Sequence, residues 1–213
     1  MNNSSKMIRL VQAARTKHKQ VARVRADEYI DTEGDIPRDF IRMEPWEIRY
    51  LYSVCTHARH RVVEIGRFKG GSTLIAAHAT QLPIFSVDLA PQDDIYLQHL
   101  MQVCGVGTNV TLVVGDSQKT KYNVGPYDVL FVDGDHSYEG CLNDLNNWWD
   151  ELAPGGHVVC HDCYLGKHSG EGVQDAVCEF LKDKQVNIFL TPYIQQNHWA
   201  LPHGSLCHFQ KPL

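Results

Sequence analysis

Residues 62–76 read VVEIGRFKGGSTLIA. An apolar run is interrupted by an acid, three glycines and a Ser-Thr pair follow, and apolar residues then return at helical spacing. This is the pattern of a strand, a glycine-rich loop and a helix, the arrangement by which an open parallel sheet receives a nucleotide. The dinucleotide fingerprint G-x-G-x-x-G is absent. Gly66 is followed by Arg67 and Phe68, and the spacing is E-x-G-x-x-x-G-G. Glu64 at the strand end would repel a pyrophosphate and would welcome an ammonium or hydroxyl group.

The alternation continues on the C-terminal side. Strands are expected at 61–65, 83–88, 109–114, 127–132 and 156–160, with helices at 71–80, 93–104, 138–152 and 171–184. The strands are short continuous apolar runs such as YDVLFVD, which suit a parallel sheet covered on both faces. Alternating strands and helices imply right-handed crossovers and a doubly wound α/β sheet. After residue 184 the pattern changes. VNIFLTPYI (186–194) and SLCHFQ (205–210) read as two strands joined by a turn-rich link, QQNHWALPHG, so the sheet closes on a hairpin with one antiparallel strand. Upstream, residues 45–58 read as a helix with Pro45 at its first position. Residues 31–42 read as a loop and 6–25 as a helix.

At 213 residues the chain suits one domain with a full core. No apolar stretch approaches the roughly 18–20 residues of a membrane span. Seven cysteines scattered through apolar segments favour reduced thiols in a cytoplasmic chain over a disulfide framework. Residues 1–25 carry seven basic residues and no acid, while the formal net charge of the chain is −5, which leaves −12 on the rest. Such a basic arm has three readings. It could touch nucleic acid or a membrane surface, it could be an organelle transit segment, or it could be a solvated helix packing Ile8, Val11 and Val21 on the body or on a second subunit. The last reading is preferred and implies a homo-oligomer.

Three acids follow three successive strands. Glu64 stands in the first, Asp88 ends the second in FSVDLAP, and Asp116 follows the third in LVVGDSQ. Asp88 at that place can accept both hydroxyls of a ribose, and Asp116 can accept from an adenine amino group. Singly, each acid could be a turn former or helix cap. Together they describe a nucleoside with a cationic tail and no phosphate, which are the properties of S-adenosylmethionine.

VVEIGRFKGGST, FSVDLAP, VVGDS, YDVLFVDGDHSYEG and LAPGGHVVCHD occur in the order and spacing of class I S-adenosylmethionine-dependent methyltransferases. The chain most resembles the branch with macrocin-type sugar O-methyltransferases and cephalosporin-hydroxylase-like proteins. The resemblance runs from about residue 43 to the C-terminus, so residues 43–213 are expected to be the methyltransferase domain and 1–42 an N-terminal arm and loop. It implies a seven-stranded, mostly parallel sheet in order 3-2-1-4-5-7-6, with strand 7 antiparallel and helices on both faces. It also implies that Glu64, Gly66, Gly70 and Ser72 line the methionine and ribose end of the cofactor. Asp88 would bind the ribose, Asp116 and Ser117 would lie by the adenine, and Asp133 would stand near the transferred methyl.

Methyl transfer from a sulfonium to an alcohol requires the acceptor to lose its proton, to a base or with help from a divalent cation. The segment FVDGDHSYEG offers Asp133 and His136, and VVCHDCYLGKH offers His161 and Asp162. In metal-dependent relatives, one acid after strand four and two adjacent residues after strand five hold the ion. The matching set here is Asp133, His161 and Asp162. His161 departs from the usual carboxylate or amide, and an imidazole favours manganese, iron or zinc over magnesium. It could instead act as a base, as could His136. Ser137 reads as a helix cap, Cys160 as a core residue of strand five, and at least one of Trp148 and Trp149 as core. The segment 165–171, with Tyr164 and His168, is a candidate substrate lid. Expected partners are therefore S-adenosylmethionine and a small-molecule acceptor such as a sugar. Competing readings are a hydroxylase-like or dehydrogenase enzyme on the same fold, and a non-catalytic binding module. Few aromatics accompany the basic arm, which argues against nucleic acid.

Overall fold

The computed structural model describes residues 40–120, 122–163, 171–189, 191 and 206–213. The expected helix over 6–25, most of the loop 31–42, the segment 164–170 with Tyr164 and His168, and the link 195–204 lie outside the described residues.

The chain enters through α1 (Pro45–Thr56). Pro45 stands in its first turn, and Glu44 and Glu47 form a reciprocal capping box. Then follow β1 (Val62–Ile65), α2 (Gly71–Ala79), β2 (Ile84–Asp88), α3 (Asp94–Cys104), β3 (Val110–Val114) and β4 (Tyr127–Val132). The second half runs through α4 (Tyr138–Trp149), β5 (Leu152–Cys160), α5 (Glu171–Leu181), β6 (Asn187–Phe189) and β7 (Cys207–Gln210). Local chemistry marks the helix ends. Asp93 caps α3 by accepting from Tyr96 N, Gly105 ends that helix in the left-handed region, and Ser137 caps α4 by accepting from Gly140 N.

All seven strands form one sheet in the order β3-β2-β1-β4-β5-β7-β6. Pairings among β3, β2, β1, β4 and β5 are parallel, and β7 runs antiparallel to both β5 and β6. The closing hairpin expected from the sequence and the strand order implied by the resemblance are both present. Because β1 pairs with both β2 and β4, the order reverses at β1, and a crevice opens beyond the carboxyl ends of β1 and β4.

Period-two alternation divides the core. Val62, Val129, Phe131 and Val159 face α1, α2 and α3 with Ile48, Leu51, Leu74 and Leu97. Val63, Leu130, Val158 and Cys160 face α4 and α5 with Leu145, Trp148, Val177 and Phe180. Trp148 and Cys160 are thus core residues, as expected. Several boundaries differ from the sequence reading. β5 starts at Leu152 rather than 156, because the chain extends through Ala153-Pro154-Gly155 while its register against β4 shifts between Tyr127 and Val129. α4 accordingly stops at Trp149, and α5 stops at Leu181 rather than 184.

Candidate functional site

A cavity of about 670 Å³ opens at the carboxyl ends of the central strands. Its walls come from the glycine loop (Gly66, Arg67, Phe68, Gly71, Ser72), the end of β2 (Asp88), the segment after β3 (Asp116, Ser117), and the ends of β4 and β5 (Asp133, His136, His161, Asp162). Phe40, Arg42 and Met43, just before α1, close another side.

The glycine loop is built for close approach. Gly66 takes φ +79, and its N–H donates to Val87 O. A Cβ there would collide with the Asp133 carbonyl and Gly134. Gly70 is the left-handed N-cap of α2, where a Cβ would meet Leu97. Arg67, which follows the first glycine directly, is buried. Its guanidinium makes a two-pronged pair with Asp94 at 2.8 and 2.6 Å and donates from Nη1 to the carbonyls of Ser86 and Val113. It ties the loop to β2, β3 and α3.

The acids after the first three strands occupy different settings. Glu64 lies beneath the loop rather than on the cavity wall, with Oε2 accepting from the hydroxyls of Thr73 and Ser86. Burial raises its pKa against the lowering by Ser72, Ser86, Thr73 and Arg67. Asp88 lines the cavity. Its Oδ2 accepts from Arg67 N and Phe68 N, both at 2.8 Å, and its Oδ1 accepts from Ala90 N. Asp116 accepts from Gln118 N and pairs with the exposed Lys119 at 2.9 Å. Ser117 donates from Oγ to Asp144 Oδ1 at 2.7 Å, while its carbonyl accepts from Trp148 Nε1. The segment after β3 is thereby fastened to α4.

At the ends of β4 and β5, two acids and two imidazoles alternate around a ring. Asp133 Oδ1 is 3.2 Å from His136 Nε2 and 3.2 Å from His161 Nδ1. Asp162 Oδ2 is 3.7 Å from His136 Nδ1 and 3.5 Å from His161 Nδ1. Backbone hydrogen bonds hold the strand ends level, from Asp133 N to Ile65 O and from His161 N to Val132 O. Asp162 adopts φ +53, a left-handed turn that aspartate tolerates better than most residues. Burial pushes the Asp133 carboxyl up, but His161 and His136 outweigh it and hold it at about 2. Burial likewise opposes charge on His161, yet Asp133, Asp162 and Glu47 raise its pKa well above the ordinary value. Donor atoms of Asp133, His136 and Asp162 all lie within 4.8 Å of one another, close enough to share one metal ion. The structure thus brings together the expected Asp133, His161 and Asp162 and adds His136 to them.

Residues 63–163 match the family described as a methyltransferase domain. The chain has the class I methyltransferase fold. The chain is 26% identical over 145 residues to an uncharacterized protein of Acanthamoeba polyphaga mimivirus, covering 62% of this chain and 63% of that one. It therefore spans less than two thirds of the length of that curated relative. Among solved structures it superposes on the O-methyltransferase NovP with a TM-score of 0.71 at 15% identity, covering 100% of both chains. It superposes on the Podospora anserina methyltransferase PaMTH1, bound to S-adenosylhomocysteine, with a TM-score of 0.65 at 17% identity, covering 95% of this chain and 87% of that one.

Two fully buried acids, Glu47 and Asp144, escape the sequence reading. Glu47 of α1 is 0% exposed. Its Oε2 accepts from Glu44 N at 2.8 Å and lies 3.3 Å from His161 Nε2. Asp144 of α4 is also 0% exposed, with Oδ2 lacking a hydrogen-bond partner among the described residues. A signal for each is present in the sequence. Glu47 falls in line with Leu51 and Val54, and Asp144 with Cys141 and Trp148, so each is an acid on an apolar helix face.

Proposed function

We propose that the methyltransferase domain transfers the methyl group of S-adenosylmethionine to an oxygen of a small hydroxylated acceptor, such as a sugar. The observation that carries this reading is the ring of Asp133, His136, Asp162 and His161 on the cavity wall, beside the glycine loop. NovP is an O-methyltransferase and PaMTH1 binds the demethylated cofactor, and both likenesses support the reading.

Asp88 is assigned to the ribose and Asp116 with Ser117 to the adenine, while Gly66 and Ser72 line the methionine end. Gly70 and Glu64 act from beneath, by shaping the loop. Asp88 already accepts from three backbone N–H groups of the loop and its own turn, so it orients the loop as well as any ribose it receives. The nucleoside and the acceptor share one cavity, which lets the domain align the two reacting atoms and exclude water.

The donor set fits a divalent cation. Two carboxylates and an imidazole offer mixed oxygen and nitrogen ligands, and buried His161 Nδ1 has no aligned hydrogen bond among the described residues. Asp133, His136 and Asp162 would hold the ion, with His161 Nδ1 alongside. Such a donor set suits manganese, iron or zinc better than magnesium. A bound cation would lower the pKa of the acceptor hydroxyl and orient it. In a second reading, the unaligned Nδ1 of His161 takes the acceptor proton directly without a metal.

Thermal melts with S-adenosylmethionine, S-adenosylhomocysteine and NAD test the cofactor. The two sulfur nucleosides raise the melting temperature by mass action and NAD does not. A shift with NAD alone would overturn the assignment. Exhaustive chelation then separates the two deprotonation readings. Loss of methylation of a small-molecule hydroxyl panel, restored by manganese, supports the cation. Full activity with no metal by elemental analysis assigns His161 or His136 as a base.

A further inference from the structure

We infer that Glu47 is a positioning residue of the methyl-transfer site, holding the His161 ring by Nε2 so that Nδ1 faces Asp133 and Asp162. The inference rests on the function proposed above and extends it to α1, an element outside the matched residues 63–163.

A carboxylate can only accept, so the contact between Glu47 Oε2 and His161 Nε2 is made by an Nε2–H donating across 3.3 Å. That assigns the proton to Nε2 in the neutral ring and leaves the Nδ1 lone pair on the cavity side. There Nδ1 stands 3.2 Å from Asp133 Oδ1 and 3.5 Å from Asp162 Oδ2. Its contact with Asp133 lacks the alignment of a hydrogen bond, as expected of a nitrogen presented to something other than its neighbouring carboxylate. Phe131 packs edge-on against the ring, with centroids 6.1 Å apart. One edge of the imidazole is therefore held by an acid and one face by an aromatic ring.

Capping alone does not explain Glu47. Its hydrogen bond from Glu44 N could be accepted equally by glutamine, since a capping box accommodates either. A carboxylate is instead kept at 0% exposure with Oε1 unpartnered among the described residues. An unsatisfied buried polar atom is costly, and a charged one more so. His161 is the partner that makes use of the charge. The arrangement is the general one in which a carboxylate fixes the tautomer and direction of a histidine whose other nitrogen works.

The test combines imidazole nitrogen NMR with metal titration. His161 signals are assigned by their loss in His161→Gln. In the wild type, at a pH high enough for the ring to be neutral, the long-range proton–nitrogen pattern is that of an Nε2–H ring. An Nδ1–H ring there overturns the inference outright, whatever happens in any variant. Glu47→Gln keeps the acceptor for Glu44 N but removes the charge, and Glu47→Asp keeps the charge but withdraws it from the ring. Both lower affinity for manganese(II) alone by 10–100-fold in calorimetry, while S-adenosylhomocysteine affinity stays within about twofold. Wild-type manganese affinity and an unchanged His161 pattern in both variants would reduce Glu47 to a cap and sink the inference. A wild type that binds no manganese removes the cation reading of the site, yet the ring pattern still decides the role of Glu47. If neither variant folds, the wild-type pattern decides it.

Discussion

Gly66 and Asp133 approach so closely that a Cβ on Gly66 would collide with the Asp133 carbonyl group. The glycine loop after β1 is therefore pressed onto the end of β4, and the nucleotide loop and the candidate metal ring form one packed unit. Gly66 also holds φ +79, where L-residues other than glycine are disfavoured by roughly 1–2 kcal/mol. Gly66→Ala adds a backbone collision to that cost. It is expected to destabilise the domain by more than about 2 kcal/mol in urea unfolding and to abolish S-adenosylhomocysteine binding. Wild-type stability and affinity in this variant would show that the two loops are free to separate.

Asp88 gives a second prediction. Its Oδ2 collects the N–H groups of Arg67 and Phe68, and the carboxylate is assigned to the ribose. Hydrogen bonds to a charged group contribute about 1.5–3 kcal/mol each. Asp88→Asn is expected to weaken S-adenosylhomocysteine binding at least tenfold in calorimetry, with the far-ultraviolet circular dichroism unchanged. A folded variant of unaltered affinity would remove Asp88 from the site.

The fold was legible because each part of it is a local pattern repeated. Apolar runs such as 127–132 mark strands buried on both faces, and Ser137 and Pro45 mark helix starts. The start of β5 was not legible. The apolar run there begins only at 156, whereas pairing of Leu152 with Tyr127 and backbone hydrogen bonds of Gly155 and Gly156 with Lys211 carry the strand through Pro154. In the site, the residues lining the cavity sit at strand ends, where sequence order and spatial position coincide. Glu47 did not, because its contact with His161 spans 114 residues and local spacing carries no record of it. The role of Arg67 was not legible either, because its guanidinium binds Asp94 and two strand carbonyls distant in sequence.

Asp144 provides a third prediction, on stability. Burial raises its pKa to about 6, even though Ser117 lowers it by hydrogen bonding. The folded value lies above the ordinary 3.8, so the native state holds the proton more tightly. Its stabilising share is complete below pH 3.8 and is lost as pH rises through about 6. Asp144→Asn keeps an acceptor for Ser117 Oγ and removes the buried charge. It is expected to raise stability at pH 8 by about 1–3 kcal/mol and to change it little at pH 4. Urea unfolding at the two pH values checks this, and destabilisation at pH 8 would mean that the carboxylate has a partner its charge requires.

The last prediction concerns a histidine chain remote from the cavity. Tyr50 OH lies 2.7 Å from His208 Nδ1, and His208 Nε2 lies 2.9 Å from His157 Nδ1, linking α1, β7 and β5. Phe189 of β6 stacks on the His208 ring with centroids 4.3 Å apart. Burial, and then the neighbouring His157, lower the pKa of His208 from 6.5 to about 4. His157 is lowered too, chiefly by burial. The sign is opposite to that of Asp144. A histidine with a depressed folded value contributes stability that is present above 6.5 and is lost as pH falls through about 4. For His208 that loss is about 3 kcal/mol, because the folded chain resists the proton by about 1.4 kcal/mol for every tenfold drop in its proton affinity. Asp144 gains stability over part of the same window, so the wild-type curve alone would understate the effect. The difference between wild type and His208→Gln isolates it. Glutamine can still bond Tyr50 but does not titrate, so its stability should fall less steeply between pH 6.5 and 4. Parallel unfolding free energies for the two proteins across that window would show that His208 binds its proton equally well in the folded and unfolded chain.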